Sequence, residues 1–96
     1  MSMLDTVRAN REAVMRIAEA NKISKVLMFG SCARKEDGPD SDIDFLVTFK
    51  DGASLLNQVH MRNDLQDLFG VRVDVVSSRG LSPFIGPQIM AEAVPV

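Results

Sequence analysis

The sequence contains no tryptophan and no tyrosine, and its single cysteine is Cys32. One cysteine excludes an internal disulfide and a zinc site built from cysteine thiolates. Because five phenylalanines are the whole aromatic content, the chain has few side chains on which nucleic-acid bases could stack. Its net charge of -2 provides no general attraction to nucleic acid or to an anionic membrane. We therefore expect no direct binding to nucleic acid and no membrane association.

Long apolar segments and a secretion signal are also missing from the sequence. No apolar run approaches the ~20 residues that cross a bilayer, and the first residues lack the hydrophobic stretch of a signal peptide. With so little cysteine, the cytoplasm is the expected compartment. The 96 residues, 46% hydrophobic and 25% charged, are typical of one soluble globular domain, which we place at residues 1–96.

The hydrophobic pattern predicts both helices and strands along the chain. We expect a helix from about Asp5 to Ala20, strands at 25–29, 41–49 and 71–76, a helix from Ser54 to about Leu68, and a final helical stretch within 81–90. Gly70 should end the Ser54 helix in the left-handed conformation. The tail at 93–96 is either frayed or an added edge strand. This order predicts an α/β (α+β) fold, a small mixed β-sheet with helices packed on one face and the other face open for a site.

Asp42 and Asp44 lie at the start of the second predicted strand, where alternate residues project from the same face. Their Cα atoms are then ~6.7 Å apart, and two ionised carboxylates at that spacing repel by roughly 0.6 kcal/mol in water. A fold gains from this arrangement when a cation is present, and oxygen ligands suit Mg²⁺ or Mn²⁺. Asp74 has matching parity on the neighbouring strand, although an acidic residue on an edge strand is also unremarkable. Together the three carboxylates predict a two-metal site of the kind used in phosphoryl transfer.

Gly30 and Ser31 end the first predicted strand and form the second half of the predicted site. Glycine lets the backbone approach a ligand closely, and the amides of the following helical turn can donate to phosphate. The Ser31 hydroxyl adds another donor. Arg34, one turn further on, either reaches the β and γ phosphates through charge-assisted bonds or pairs with Glu36 or Asp37. The segment is therefore predicted to hold a nucleoside triphosphate.

A family resemblance rests on two strings, Phe29-Gly-Ser-Cys-Ala-Arg34 and Ser41-Asp-Ile-Asp-Phe-Leu-Val47. Their Gly-Ser-x10-Asp-x-Asp spacing resembles the signature of the DNA polymerase β-like nucleotidyltransferases. More narrowly, the chain is similar to the minimal nucleotidyltransferases (MNT), the antitoxin half of HEPN/MNT toxin–antitoxin pairs. The likeness extends over nearly the whole chain in element order and length. One departure stands out, because many relatives have glycine after the motif arginine where this chain has Lys35.

The resemblance implies a nucleotidyltransferase-like fold and a role for each motif residue. In that family the paired aspartates, here Asp42 and Asp44, bind metals. A third acidic residue on a later strand, here Asp74, completes the metal site and activates the attacking hydroxyl. The glycine and serine, here Gly30 and Ser31, bind the triphosphate. The implied cofactor is Mg²⁺ in a two-metal site, with Mn²⁺ as a substitute, and the implied substrate is ATP.

The resemblance further implies transfer of AMP from ATP to a tyrosine of a cognate HEPN ribonuclease toxin. The chain would silence this toxin as its antitoxin, in a hetero-oligomeric complex. Two alternatives stay open: neutralisation by binding alone, with a vestigial site, and catalysis on a small, aminoglycoside-like molecule, which usually needs an additional helical domain. Because the chain is short, we expect a partner protein to present the acceptor hydroxyl.

Overall fold

The structure, a computed structural model, describes residues 2–36, 38 and 42–96. Within these ranges the elements are α1 (Met3–Ala9), α2 (Arg11–Ala20), β1 (Ile23–Phe29), α3 (Gly30–Ala33), β2 (Ile43–Phe49), α4 (Leu55–Phe69), β3 (Val73–Ser77), a 3-10 turn (Ser78–Gly80), α5 (Gly86–Glu92) and β4 (Val94–Pro95). The predicted loop at 37–40, Gly38 apart, and the predicted strand start at Ser41 lie outside the described residues.

The four strands of the described chain form one sheet in the order β3-β2-β1-β4. β1 pairs antiparallel with β2 and with β4, whereas β2 and β3 are parallel. Two parallel neighbours need a crossover connection, which α4 provides. The prediction of a small mixed sheet is therefore confirmed, and the tail forms an edge strand.

The core lies between one face of the sheet and two helices. α2 packs against β1, α4 packs against β3, and the two helices contact each other. Ile43, Phe45 and Val47 of β2 are completely buried on this side. Leu46 is 2% exposed although it lies outside this core, so the second face of the sheet is partly covered. The predicted packing of helices on one face is confirmed.

Both ends of α4 are set by local sequence. Ser54 and Asn57 form a reciprocal capping box at its start. Gly70 ends it with φ 68°, and its amide donates to the Gln66 carbonyl at 2.8 Å, as predicted from the glycine. No helix in the described part of the chain is both long and apolar enough to span a membrane.

Two predicted helices differ from the observed ones. The helix expected from Asp5 to Ala20 is broken at Asn10, whose side-chain amide donates to the Thr6 carbonyl at 2.8 Å. Asparagine competes with the helix by bonding the backbone in this way. The last helix begins only at Gly86, because Pro87 favours the first turn of a helix and disfavours continuation from before it.

Candidate active site

Gly30 brings the turn after β1 against the paired aspartates. Its φ is 77°, a left-handed conformation that glycine adopts readily. A Cβ placed on Gly30 would collide with the Asp44 carboxylate oxygen Oδ2. The two halves of the predicted motif are therefore in direct proximity, and the absence of a side chain at Gly30 makes room for the carboxylate.

Asp44 and Asp74 are register partners on the parallel strands β2 and β3. Adjacent strands lie about 4.8 Å apart, so side chains at paired positions on one face are neighbours. Burial of the Asp44 carboxyl, together with the charges of Asp74 and Asp42, raises its pKa from 3.8 to about 6. The predicted convergence of the three carboxylates, which we call the aspartate cluster, is thus visible in the electrostatics of Asp44.

Asp42 precedes β2 and is held from two sides. The Cys32 thiol donates to the Asp42 carbonyl at 3.2 Å, which joins α3 to the start of β2. The Asp42 carboxylate Oδ2 lies 3.9 Å from the Arg72 guanidinium, and both side chains are substantially exposed. An exposed pair at this distance contributes about 0–1 kcal/mol, so a stronger cation can displace the arginine.

Arg34 is engaged with two glutamates. Its guanidinium lies 3.0 Å from Glu36 Oε2 and 3.0 Å from Glu92 Oε2 on α5. The sequence alternative of pairing with Glu36 describes this arrangement, whereas Asp37 lies outside the described residues. For Arg34 to reach a phosphate, it would have to leave these partners, and its role in nucleotide binding stays a prediction.

The donor atoms of the aspartate cluster fit Mg²⁺ or Mn²⁺. Carboxylate oxygens are hard ligands, and the pKa of about 6 at Asp44 reflects crowded negative charge that a cation would relieve. Among the residues that the structure describes, no three His, Cys, Asp or Glu side chains form a ready-made metal site. Mg²⁺ usually takes its remaining ligands from water and substrate phosphates. The prediction that Asp42, Asp44 and Asp74 all bind metal therefore stays a prediction.

Sequence reasoning missed three polar residues that support the site from outside the motif. Gln58 and Gln66 of α4 bond to the backbone of β3 on either side of Asp74, and Glu92 holds Arg34. The motif contains no signal for them, because they reach the site only through packing of distant elements. Polar residues at 58 and 66, flanking the buried Met61 and Leu65, were the available clue.

Comparison with known proteins is consistent with this geometry. Residues 11–95 match the Nucleotidyltransferase domain family. A candidate protein adenylyltransferase of Methanocaldococcus jannaschii is 35% identical over 86 residues, 90% of this chain and 92% of the relative. The protein adenylyltransferase MntA of Thermococcus cleftensis is 36% identical over 72 residues, 75% of this chain and 73% of the relative.

Solved structures share the fold. A structure described as a candidate minimal nucleotidyltransferase superposes with a TM-score of 0.87 at 45% identity, covering 100% of this chain and 97% of the other. A toxin–antitoxin complex with AMP-PNP gives 0.76 at 22% identity, covering 90% and 71%. A complex of the tri-AMPylated HEPN toxin of Shewanella oneidensis with its MNT antitoxin gives 0.69 at 20% identity, covering 92% and 69%. The last two likenesses concern the fold alone.

The family match extends over most of the chain, and the turn at Gly30 meets Asp44 where the family signature expects a nucleotide site. We conclude that the chain belongs to the Nucleotidyltransferase domain family, as a minimal nucleotidyltransferase, and that it is an enzyme of the nucleotidyltransferase type.

Proposed function

We propose that the protein transfers AMP from ATP to a hydroxyl, that of a tyrosine, on a cognate HEPN ribonuclease toxin, and that it thereby acts as the antitoxin. The contact between the Gly30 turn and Asp44, with Asp74 as its register partner, is the observation that carries this proposal. Two relatives that match most of the chain are named as protein adenylyltransferases, one of them as a candidate. The fold likeness to MNT antitoxins in toxin complexes supports the choice of partner.

Each residue of the site has a chemical task in this proposal. Asp42 and Asp44 would hold Mg²⁺, which when bound neutralises phosphate charge and makes the α-phosphate more electrophilic. Gly30 and Ser31 would donate hydrogen bonds to the triphosphate and so orient it. Asp74 would accept the proton of the attacking hydroxyl. A new P–O bond to the acceptor forms as the bond to pyrophosphate breaks, and the proton stays with Asp74 until it passes to solvent.

The exposure of the two register partners suits different tasks. Asp44 is half-buried beneath the Gly30 turn, whereas Asp74 is exposed. Asp74 also lines a cleft of about 240 Å³ formed with Gln58 and Val59 of α4. A hydroxyl presented by another protein can therefore approach Asp74 from solvent, which agrees with an acceptor that is part of a partner chain.

The test is transfer of label from α-labelled ATP to the HEPN partner in the presence of Mg²⁺, with intact mass to count AMP units. Asp42→Ala combined with Asp44→Ala should abolish transfer and leave the chain folded. Asp64→Ala combined with Asp67→Ala removes the same charge from exposed positions of α4 and should transfer normally. An unlabelled partner with the unmodified enzyme, beside an active control transferase, would refute the proposal.

A second candidate, neutralisation by binding alone, is favoured by the pairing of Asp42 with Arg72. An arginine beside a metal-binding carboxylate competes with the cation. If binding alone suffices, the Asp42→Ala, Asp44→Ala double variant would still form the complex and suppress toxin activity. Loss of suppression in that variant, with complex formation intact, would instead support catalysis.

A further inference from the structure

The outer edge of β3 is bonded to α4 by two glutamine side chains. β3 pairs with β2 on one side, so the backbone groups of Val73 and Val75 that face away from β2 need other partners. Gln66 Oε1 accepts from the Val73 amide at 3.2 Å, and Gln58 Nε2 donates to the Val75 carbonyl at 2.6 Å. Both contacts are partly buried, and together they replace a missing strand neighbour.

These two bonds lie on either side of Asp74. The Arg72 carbonyl accepts from the Ile43 amide at 3.1 Å, which shows that even-numbered residues of this segment turn their backbone groups toward β2. Backbone direction alternates along a strand, so Val73 and Val75 turn theirs toward α4. The peptide units around Asp74 are therefore bonded on both sides, and the direction of its side chain is determined by α4 as well as by β2.

An edge strand without such partners is a weak support for a functional group. Exposed backbone bonds at a sheet edge open at low free energy, and β3 has only five residues in this structure. Displacement of a reacting group by about 1 Å can lower a rate by on the order of 100-fold. Gln58 and Asp74 also line the same cleft, so the glutamine acts close to the carboxylate that it would steady.

We propose that Gln58 and Gln66 are positioning residues, which hold β3 so that the Asp74 carboxylate stays directed at the nucleotide. The inference rests on the proposed function, in which Asp74 accepts the proton of the acceptor hydroxyl. Neither glutamine touches the reacting atoms. Their effect should appear in kcat for AMP transfer and not in the KM for ATP, because Gly30 and Ser31 hold the triphosphate on a different element.

The two glutamines have opposite hydrogen-bonding roles, which allows an isosteric test. Gln66→Glu keeps an acceptor for the Val73 amide, whereas Gln58→Glu sets a carboxylate against the Val75 carbonyl. Gln58→Met and Gln66→Met remove each bond without adding charge. We expect kcat to fall about 10-fold or more in Gln58→Glu and both methionine variants, and to stay within about 2-fold in Gln66→Glu.

Other causes give other patterns. An effect of added charge would lower kcat in both glutamate variants and spare both methionine variants. A merely structural role would lower melting temperatures while kcat, measured well below them, stayed unchanged. Either pattern overturns the proposal.

Amide hydrogen exchange of the unliganded protein provides a readout that needs no activity. Exchange at Val73 and Asp74 should accelerate in Gln58→Glu and in both methionine variants but not in Gln66→Glu. If the unmodified protein fails to label its HEPN partner, the proposed function fails while the exchange data still decide whether the glutamines hold β3. Unchanged exchange at Asp74 in Gln58→Met would overturn the positioning role by itself.

Discussion

On one face of β2, Ile43 and Phe45 are completely buried beneath the helices, whereas on the other face Asp44 lies between Asp74 and the Gly30 turn. The same seven-residue strand therefore serves two ends. Apolar burial on the first face stabilises the fold by about 1.5–3 kcal/mol per large side chain. On the second face, like charges are gathered under partial burial, which destabilises the unliganded chain. Strand alternation lets these opposite demands act one residue apart.

Removing a large side chain from the packed face should have the largest effect on this comparison. Phe45→Ala deletes a completely buried ring and should lower the free energy of unfolding by about 3–5 kcal/mol, measured by urea denaturation. Phe84→Ala is the matched control, because Phe84 is 91% exposed, and its effect should stay within about 0.5 kcal/mol. Similar losses for the two variants would contradict the assignment of the core to this face.

A side chain at Gly30 should damage the second face next. Gly30→Ala combines a left-handed φ of 77° with a collision against Asp44, so we expect it to destabilise by about 2–3 kcal/mol and to abolish AMP transfer. Gly70→Ala isolates the backbone effect, because its φ is 68° but nothing lies within 4 Å of the added carbon. It should cost about 1–2 kcal/mol and leave transfer intact. Equal behaviour of the two variants would show that the contact with Asp44 is unimportant.

Neutralising Asp44 should stabilise the unliganded protein while removing its activity. The folded pKa, about 6, lies above the ordinary 3.8, so the folded state holds the proton more tightly and stability falls as pH rises through that window. Discounted for partial exposure, the penalty that Asp44→Asn removes above about pH 7 is on the order of 1 kcal/mol.

Urea denaturation at about pH 4 and about pH 8, without divalent ions, should therefore show a gap between Asp44→Asn and the unmodified protein that widens with pH. Asp64→Asn, on an exposed side of α4, is the control for loss of one charge. A gap that narrows as pH rises would contradict crowding of negative charge around Asp44.

The smallest expected effect concerns the loop that leads from α3 to β2. Lys35 has a φ of 59°, the conformation for which many relatives provide glycine. Its ammonium lies 3.6 Å from Asp5 in an exposed pair, which contributes little. Lys35→Gly should therefore raise the free energy of unfolding by up to about 1 kcal/mol, visible as a higher melting temperature. Lys22→Gly, at the same φ but outside the site, tests whether the gain is general. A lower melting temperature for Lys35→Gly would show that its pairing outweighs the backbone strain.

The parts of the fold that were predicted correctly depend on local signals. Alternation along β2, the glycine at 70 and the Gly30 turn are each determined by residues close in sequence. The pairing of Asp44 with Asp74 followed from parity, because neighbouring strands must place partners on one face. Helix ends depend on finer competition, as at Asn10, where one side-chain bond interrupts an otherwise helical pattern.

Features that involve distant elements could not be predicted in the same way. Leu55 and Leu56 fit the helical pattern of buried positions, yet they are 75% and 64% exposed, because α4 turns Met61 and Leu65 toward the sheet. The pairing of Arg34 with Glu92 joins residues 58 positions apart, and no spacing in the sequence announces it. Such contacts are decided by how whole elements pack.

The thiol of Cys32 has a practical consequence for following this enzyme in solution. It is completely buried at the joint between α3 and β2, so a thiol reagent can reach it only when that joint opens. The rate of alkylation is thus a built-in clock for opening of the nucleotide turn. Because ligands that bind the closed form slow such opening, ATP with Mg²⁺ should protect the thiol without any label having to be engineered.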